Sequence, residues 1–258
     1  MKKICICFSG ELRNIDESIE YWLEIKNKYN ADIYGSFWYT DNEYHKELFK
    51  TKLNPIKIEY ENFNLFKKTT IDIYNEEINV PSEINETERI HNSKSEYLSM
   101  WYKVWRCNLL NNITNYDIVV RSRTDIKIEN LKINYNDYIT IPSIFIGIWD
   151  YKNCEGPTDI FAYGNQKIMN YYSSIYLYIT RYLKEGYYMH PVENILRVHL
   201  SNRNLTVNYM DLKIYLYKYK EYLYQHNPEY LLQSKDFDVE PEPKYTFYKK
   251  YDSVIKYK

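Results

Sequence analysis

The run KICICF (residues 3–8), followed at once by SGELRN and then by apolar residues at helical spacing, constrains this chain more than any other stretch. An unbroken apolar run of this length with a Gly-containing turn after it reads as a buried strand. The next segment, 15–29, places Ile15, Ile19, Trp22, Leu23 and Lys26 on one helical stripe, so the chain opens with a β-α unit. ADIYGSFW (31–38) and PIKIEY (55–60) read as further strands with a short helix between them near 42–50. A longer helix is expected over 93–113, with Leu98, Trp101, Trp105 and Leu109 in an i, i+4 series. DIVVR (117–121) follows as another strand. This alternation predicts an α/β fold built on a Rossmann-like, mostly parallel, doubly wound sheet.

Beyond residue 125 the pattern loosens. Short strands are expected near 137–141, 144–149 and 159–163, and helices near 165–184 and 191–200, giving a mixed C-terminal part. Residues 61–92 are polar and aperiodic and read as an excursion or mobile loop. The division expected is a single domain over 1–216, in two halves, 1–130 and 131–216. Residues 217–258, with DVEPEPKY and more Tyr and Lys than aliphatic residues, read as a C-terminal arm.

Composition excludes several functions. A net charge of −1 offers no general attraction to nucleic acid or to an anionic membrane, so any basic site must be local. No apolar run approaches the ~18 residues of a membrane span, and no charged-then-apolar leader opens the chain. Cys5, Cys7, Cys107 and Cys154 lack the paired spacing of a structural zinc site and read as reduced thiols, so a cytoplasmic setting is expected. The 32 tyrosines, set beside six glycines, reflect a biased composition and give each single tyrosine little meaning. There is no G-x-G-x-x-G, no P-loop and no G-x-S-x-G.

Ligands of doubly wound sheets bind beyond the carboxyl ends of the strands. YDIVVRSRTDIKI (116–128) carries Arg121, Arg123 and Asp125 to such an end, and the turn after the first strand carries Arg13. Three guanidiniums at one sheet edge suit a diphosphate, which each can grip through paired N–H donors. Asp125 is a candidate ligand for a divalent cation, Mn²⁺ or Mg²⁺, bridging phosphate oxygens. Its other reading is a turn cap or a partner of Arg121. In GPTDIFAYG (156–164), Asp159 is placed to accept hydrogen bonds from sugar hydroxyls or to end a strand edge. In YYMHPVENILRVHL (187–200), Pro191 marks a helix start and puts Glu193 in its first turn, where the helix dipole alone favours it. His199 reads as a surface or core histidine.

The segments CFSGELRN, DIYGSFW, SMWYKVWRCNLL, YDIVVRSRTDI, DIFAYG and HPVEN, in this order over about residues 3–200, resemble the glycosyltransferase-A fold family of nucleotide-sugar transferases. The likeness is greatest to small capsule- or glycan-assembly enzymes of bacteria and giant viruses. The resemblance implies transfer of a sugar from a nucleoside diphosphate sugar, UDP-linked or similar, to a hydroxyl of a glycan or glycoconjugate acceptor. It implies Ser9, Gly10 and Arg13 as donor contacts, and Asp125 as the last position of a D-x-D metal motif whose first position is here Arg123. Glu193, with Asp159 second, is implied as the base that deprotonates the acceptor. Two other readings stand beside it: a non-catalytic nucleotide- or glycan-binding protein on the same fold, and a phosphoryl-transfer enzyme, which normally needs more metal-binding carboxylates.

Overall fold

A computed structural model describes residues 2–71, 87–135, 137–148, 151–185, 192–203, 205–210, 214–217 and 221–222. Strands β1 (Ile4–Glu11), β2 (Asp32–Trp38), β3 (Lys57–Glu61) and β4 (Ile118–Ser122) lie parallel in the order β3-β2-β1-β4. The sheet continues through β8 (Phe161–Gly164), antiparallel to β4, and β6 (Ile139–Ile148), antiparallel to β8. The first half of β6 pairs in parallel with β9 (Val207–Met210), and its second half pairs antiparallel with β7 (Tyr151–Pro157). The parallel half and the mixed half are those expected from the sequence.

Helices cover both faces. On one side α1 (Ile15–Tyr29) and α2 (Glu43–Leu53) pack Trp22, Ile19, Phe49 and Leu53 onto Ile6, Phe8, Ile33 and Val120. Gly35 of β2 permits this closeness: a Cβ there would meet the Phe37 ring at 2.6 Å and Phe49 at 3.2 Å. On the other side α4 (Thr87–Asn111), α5 (Gln166–Ser173), α6 (Ile175–Lys184) and α7 (Val192–Ser201) share a core with Cys5, Cys7, Val119 and Ala162. A second small sheet, β11 (Glu221–Tyr222), β10 (Ile214–Leu216) and β5 (Ile126–Ile128), lies against α1.

The structure corrects several local expectations. Part of the segment expected as a loop is helical: α3 (Phe63–Phe66) runs into a π-helical turn, Lys67–Ile71, and α4 begins at Thr87. The side chain of Asn62 starts α3 by accepting from the N–H of Leu65. The buried stripe of α4 is Leu98, Trp101, Val104 and Cys107, while Trp105 is half-buried and Leu109 is 40% exposed. Lys103, Asn108 and Asn111 also lie on the buried side because each finds a polar partner there, which apolar periodicity does not reveal.

The helix expected over 165–184 breaks at Ser174, whose hydroxyl bonds the Tyr171 carbonyl at 2.7 Å and turns the chain. The strands expected near 137–141 and 144–149 are one strand, β6, which runs through Pro142, where the stretch paired with β9 ends and the stretch paired with β7 begins at the next residue. Cys5, Cys7 and Cys107 are free, buried thiols; the side chain of Cys154 and residues 223–258 lie outside the described set.

Candidate active site at the carboxyl edge of the sheet

The turn after β1 and the turn after β4 are tied together. Gly10 adopts φ 111°, which L side chains rarely take, and nothing lies within 4 Å of where its Cβ would be. Asn14 follows in the left-handed region at φ 49° and leads into α1 without a side-chain cap. Thr124 bonds the Arg13 carbonyl at 3.2 Å through its hydroxyl, and its own carbonyl accepts from Ser18.

These straps bring Arg13 and Arg123 onto Asp125. One Asp125 oxygen accepts from Arg123 Nε at 2.8 Å; the other accepts from Arg123 Nη2 at 2.7 Å and Arg13 Nε at 3.1 Å. Arg13 also reaches Glu11 at 2.7 Å. Asp125 is buried, with its side chain only 1% exposed, and burial alone would raise its pKa; the charges and hydrogen bonds of Arg123 and Arg13 outweigh this and hold it below the usual carboxylate range.

Arg121 is placed differently. It is the register partner of Cys7 on β1 and Ala162 on β8, so it rises from the middle of the sheet beneath α4 and α5. It is buried, and its Nε and Nη1 have no hydrogen-bond partner among the described residues. The buried hydroxyls of Ser9 and Tyr172 are likewise without partners. Burial pushes the Tyr172 phenol up, the Arg121 charge pulls it down and the Asp159 charge pushes it up again, so the three groups share one environment.

Asp159, just before β8, and Glu193, in the first turn of α7, are both buried. Burial raises the Glu193 carboxyl to about 8, with the negative charge of Asp159 as the second cause. His199 fixes the helix that carries Glu193. Its ring stacks on Tyr171 at 4.1 Å, Nε2 donates to the Tyr171 carbonyl and Nδ1 accepts from the Tyr182 hydroxyl. Burial lowers its pKa to about 4, so it stays neutral as a core residue near neutral pH. His190 and Pro191 lie outside the described residues.

The structure thus sorts the expected residues into two groups. Arg13, Arg123 and Asp125 form one ion cluster; Arg121, Asp159 and Glu193 are buried, with the charges of Arg121 and Asp159 felt by Tyr172 and that of Asp159 by Glu193. Asp117 contacts neither and accepts from the backbone N–H of Lys3 at 2.7 Å.

A third set of residues was not foreseen. Ser36 and Glu59 continue the register row of Ser9 across β2 and β3. Arg106 grips Glu59 at 3.1 and 2.7 Å, while buried Lys103 bonds Glu61 and lies 4.4 Å from the centre of the Trp38 ring. The interleaved charges of KIEYE (57–61) and YKVWR (102–106) were the available signal.

No protein-family model and no curated protein matches the chain. Among solved structures it is similar to mouse xyloside xylosyltransferase 1 in its apo form, at 8% sequence identity and a TM-score of 0.37 over 81% of this chain and 85% of that one. That likeness is too remote to carry an argument, and the chemistry rests on the side chains. Among the described residues no helix is long and apolar enough to cross a membrane.

Proposed function

We propose that the protein is a glycosyltransferase that moves a sugar from a nucleoside diphosphate sugar to a hydroxyl of a glycan or glycoconjugate. The observation that carries this reading is the presence, on buried residues linked through Tyr172 and Asp159, of a guanidinium with unused donors and a carboxyl raised to about 8 by burial and a neighbouring carboxylate. A departing diphosphate needs the first, and an attacking hydroxyl needs the second.

In this reading Arg121 donates Nε–H and Nη1–H to oxygens of the leaving group, while Arg13 and Arg123 present positive charge at the same edge. Ionised Glu193 takes the proton of the acceptor hydroxyl as its oxygen bonds to the anomeric carbon. The bond from that carbon to the diphosphate breaks, and its electron pair leaves with the diphosphate. Asp159 keeps the Glu193 pKa high and accepts a hydrogen bond from a sugar hydroxyl. Gly10, with open space where a side chain would stand, lets the donor approach the backbone, and Ser9 offers its hydroxyl.

The test is incubation with a panel of nucleotide sugars, following release of the nucleoside diphosphate. Slow hydrolysis of one donor, accelerated by an acceptor, is expected. Donor binding with no turnover for any acceptor offered would instead make the protein a binding module.

A further inference from the structure

The resemblance to metal-dependent sugar transferases implies a divalent cation at Asp125, and the donor set there does not suit one. Hard cations such as Mg²⁺ and Mn²⁺ need carboxylate lone pairs directed at them. Both Asp125 oxygens already accept from guanidiniums, three bonds in all, at 2.7 to 3.1 Å. A cation on Asp125 would also sit against the positive charges of Arg13 and Arg123. Among the described residues, no group of three or more His, Cys, Asp or Glu side chains could hold a metal ion.

We infer that guanidiniums take the place of the cation: Asp125 is a positioning residue that aligns Arg13 and Arg123, and the diphosphate is held without a divalent metal. This rests on the glycosyltransferase reading for the identity of the ligand. Arg13 and Arg123 against the one carboxylate they enclose leave one positive charge, tempered by exposed Glu11 on Arg13, and buried Arg121 adds a second guanidinium from β4. The side chains of Arg13 and Arg123 are 33% and 20% exposed while Asp125 is 1% exposed, so the carboxylate lies inside and the cations lie outward, toward a ligand. The straps from Thr124 to Arg13 and from Ser18 to Thr124 hold both arginine-bearing turns in place before any ligand arrives.

The experiment is calorimetric titration with UDP, GDP, CDP, ADP and TDP, once in excess EDTA and once in excess Mn²⁺. At least one nucleotide is expected to bind with affinities that agree within about threefold between the two conditions. Arg123→Lys keeps the charge but loses the paired donors, and is expected to weaken that nucleotide about tenfold or more in both conditions with little change in melting temperature. Asp125→Asn, which removes the shared carboxylate, is expected to weaken the nucleotide likewise and to lower the melting temperature. Binding that appears only with Mn²⁺ would overturn the inference and leave the glycosyltransferase reading standing. Metal-independent binding that Arg123→Lys leaves unchanged would overturn the clamp. No binding of any nucleotide in either condition would overturn the underlying reading as well.

Discussion

Two arginine sites at one sheet edge behave oppositely. Around Asp125 every carboxylate oxygen is matched by a guanidinium, and both arginines stay partly exposed. Around Arg121 buried polar atoms have no partner among the described residues: two guanidinium nitrogens and the Ser9 and Tyr172 hydroxyls, with the Asp159 charge felt by both Tyr172 and Glu193. A matched cluster fixes shape. An unmatched buried donor costs about 1–3 kcal/mol, more if charged, until something supplies acceptors. The difference sets their roles: in the first cluster a buried carboxylate aligns two partly exposed arginines, and in the second buried donors have capacity left over for a ligand.

The largest expected effect comes from buried Glu193. Glu193→Gln should lower turnover by on the order of 10²–10⁴ with donor affinity kept, measured by nucleotide release. Turnover within about threefold of wild type, with collapse in Asp159→Asn, would move the base to Asp159. The same variant probes the pH profile. Glu193 holds its proton to about pH 8 in the fold and to about 4.5 when unfolded. Between these values the unfolded chain binds fewer protons, so this group's contribution is full below about 4.5 and is lost as pH rises through about 8. Glu193→Gln should flatten the fall in stability across that window, while wild-type turnover should rise with pH up to about 8.

Breaking the matched cluster should act on stability. Asp125→Ala leaves two guanidiniums without their carboxylate, and loss of one partner of a buried pair costs about 3–5 kcal/mol. Because both arginines are partly exposed and screened, the lower end is expected in denaturant unfolding.

Much of the frame was legible. KICICF, the 15–29 stripe and DIVVR announce β1, α1 and β4 because apolar period and length agree there, and the position of Arg13, Arg121 and Arg123 at the strand ends follows from chain order. What sequence could not separate was their fate. Arg121 and Arg123 stand two residues apart, yet one lies inside a strand under two helices and the other leaves the strand to meet Asp125. Tyr172 was invisible as one tyrosine of 32, and its meaning comes only from a buried hydroxyl without a partner. The Lys103–Glu61 pair spans 42 residues of sequence, so no local pattern marks it. The strands expected near 137–141 and 144–149 are the two halves of one strand, β6, whose continuity depends on which strands lie alongside.

The central claim, that the buried, unpartnered donors of Arg121 serve a ligand, is tested most directly by the melting temperature of Arg121→Met with and without the nucleotide sugar that the panel identifies. The account predicts a variant more stable than wild type when free, by about 1–3 kcal/mol from the removed orphan donors, and deprived of most of the stabilisation that the donor gives wild type. A free variant less stable than wild type, with the donor's stabilisation intact, would contradict it.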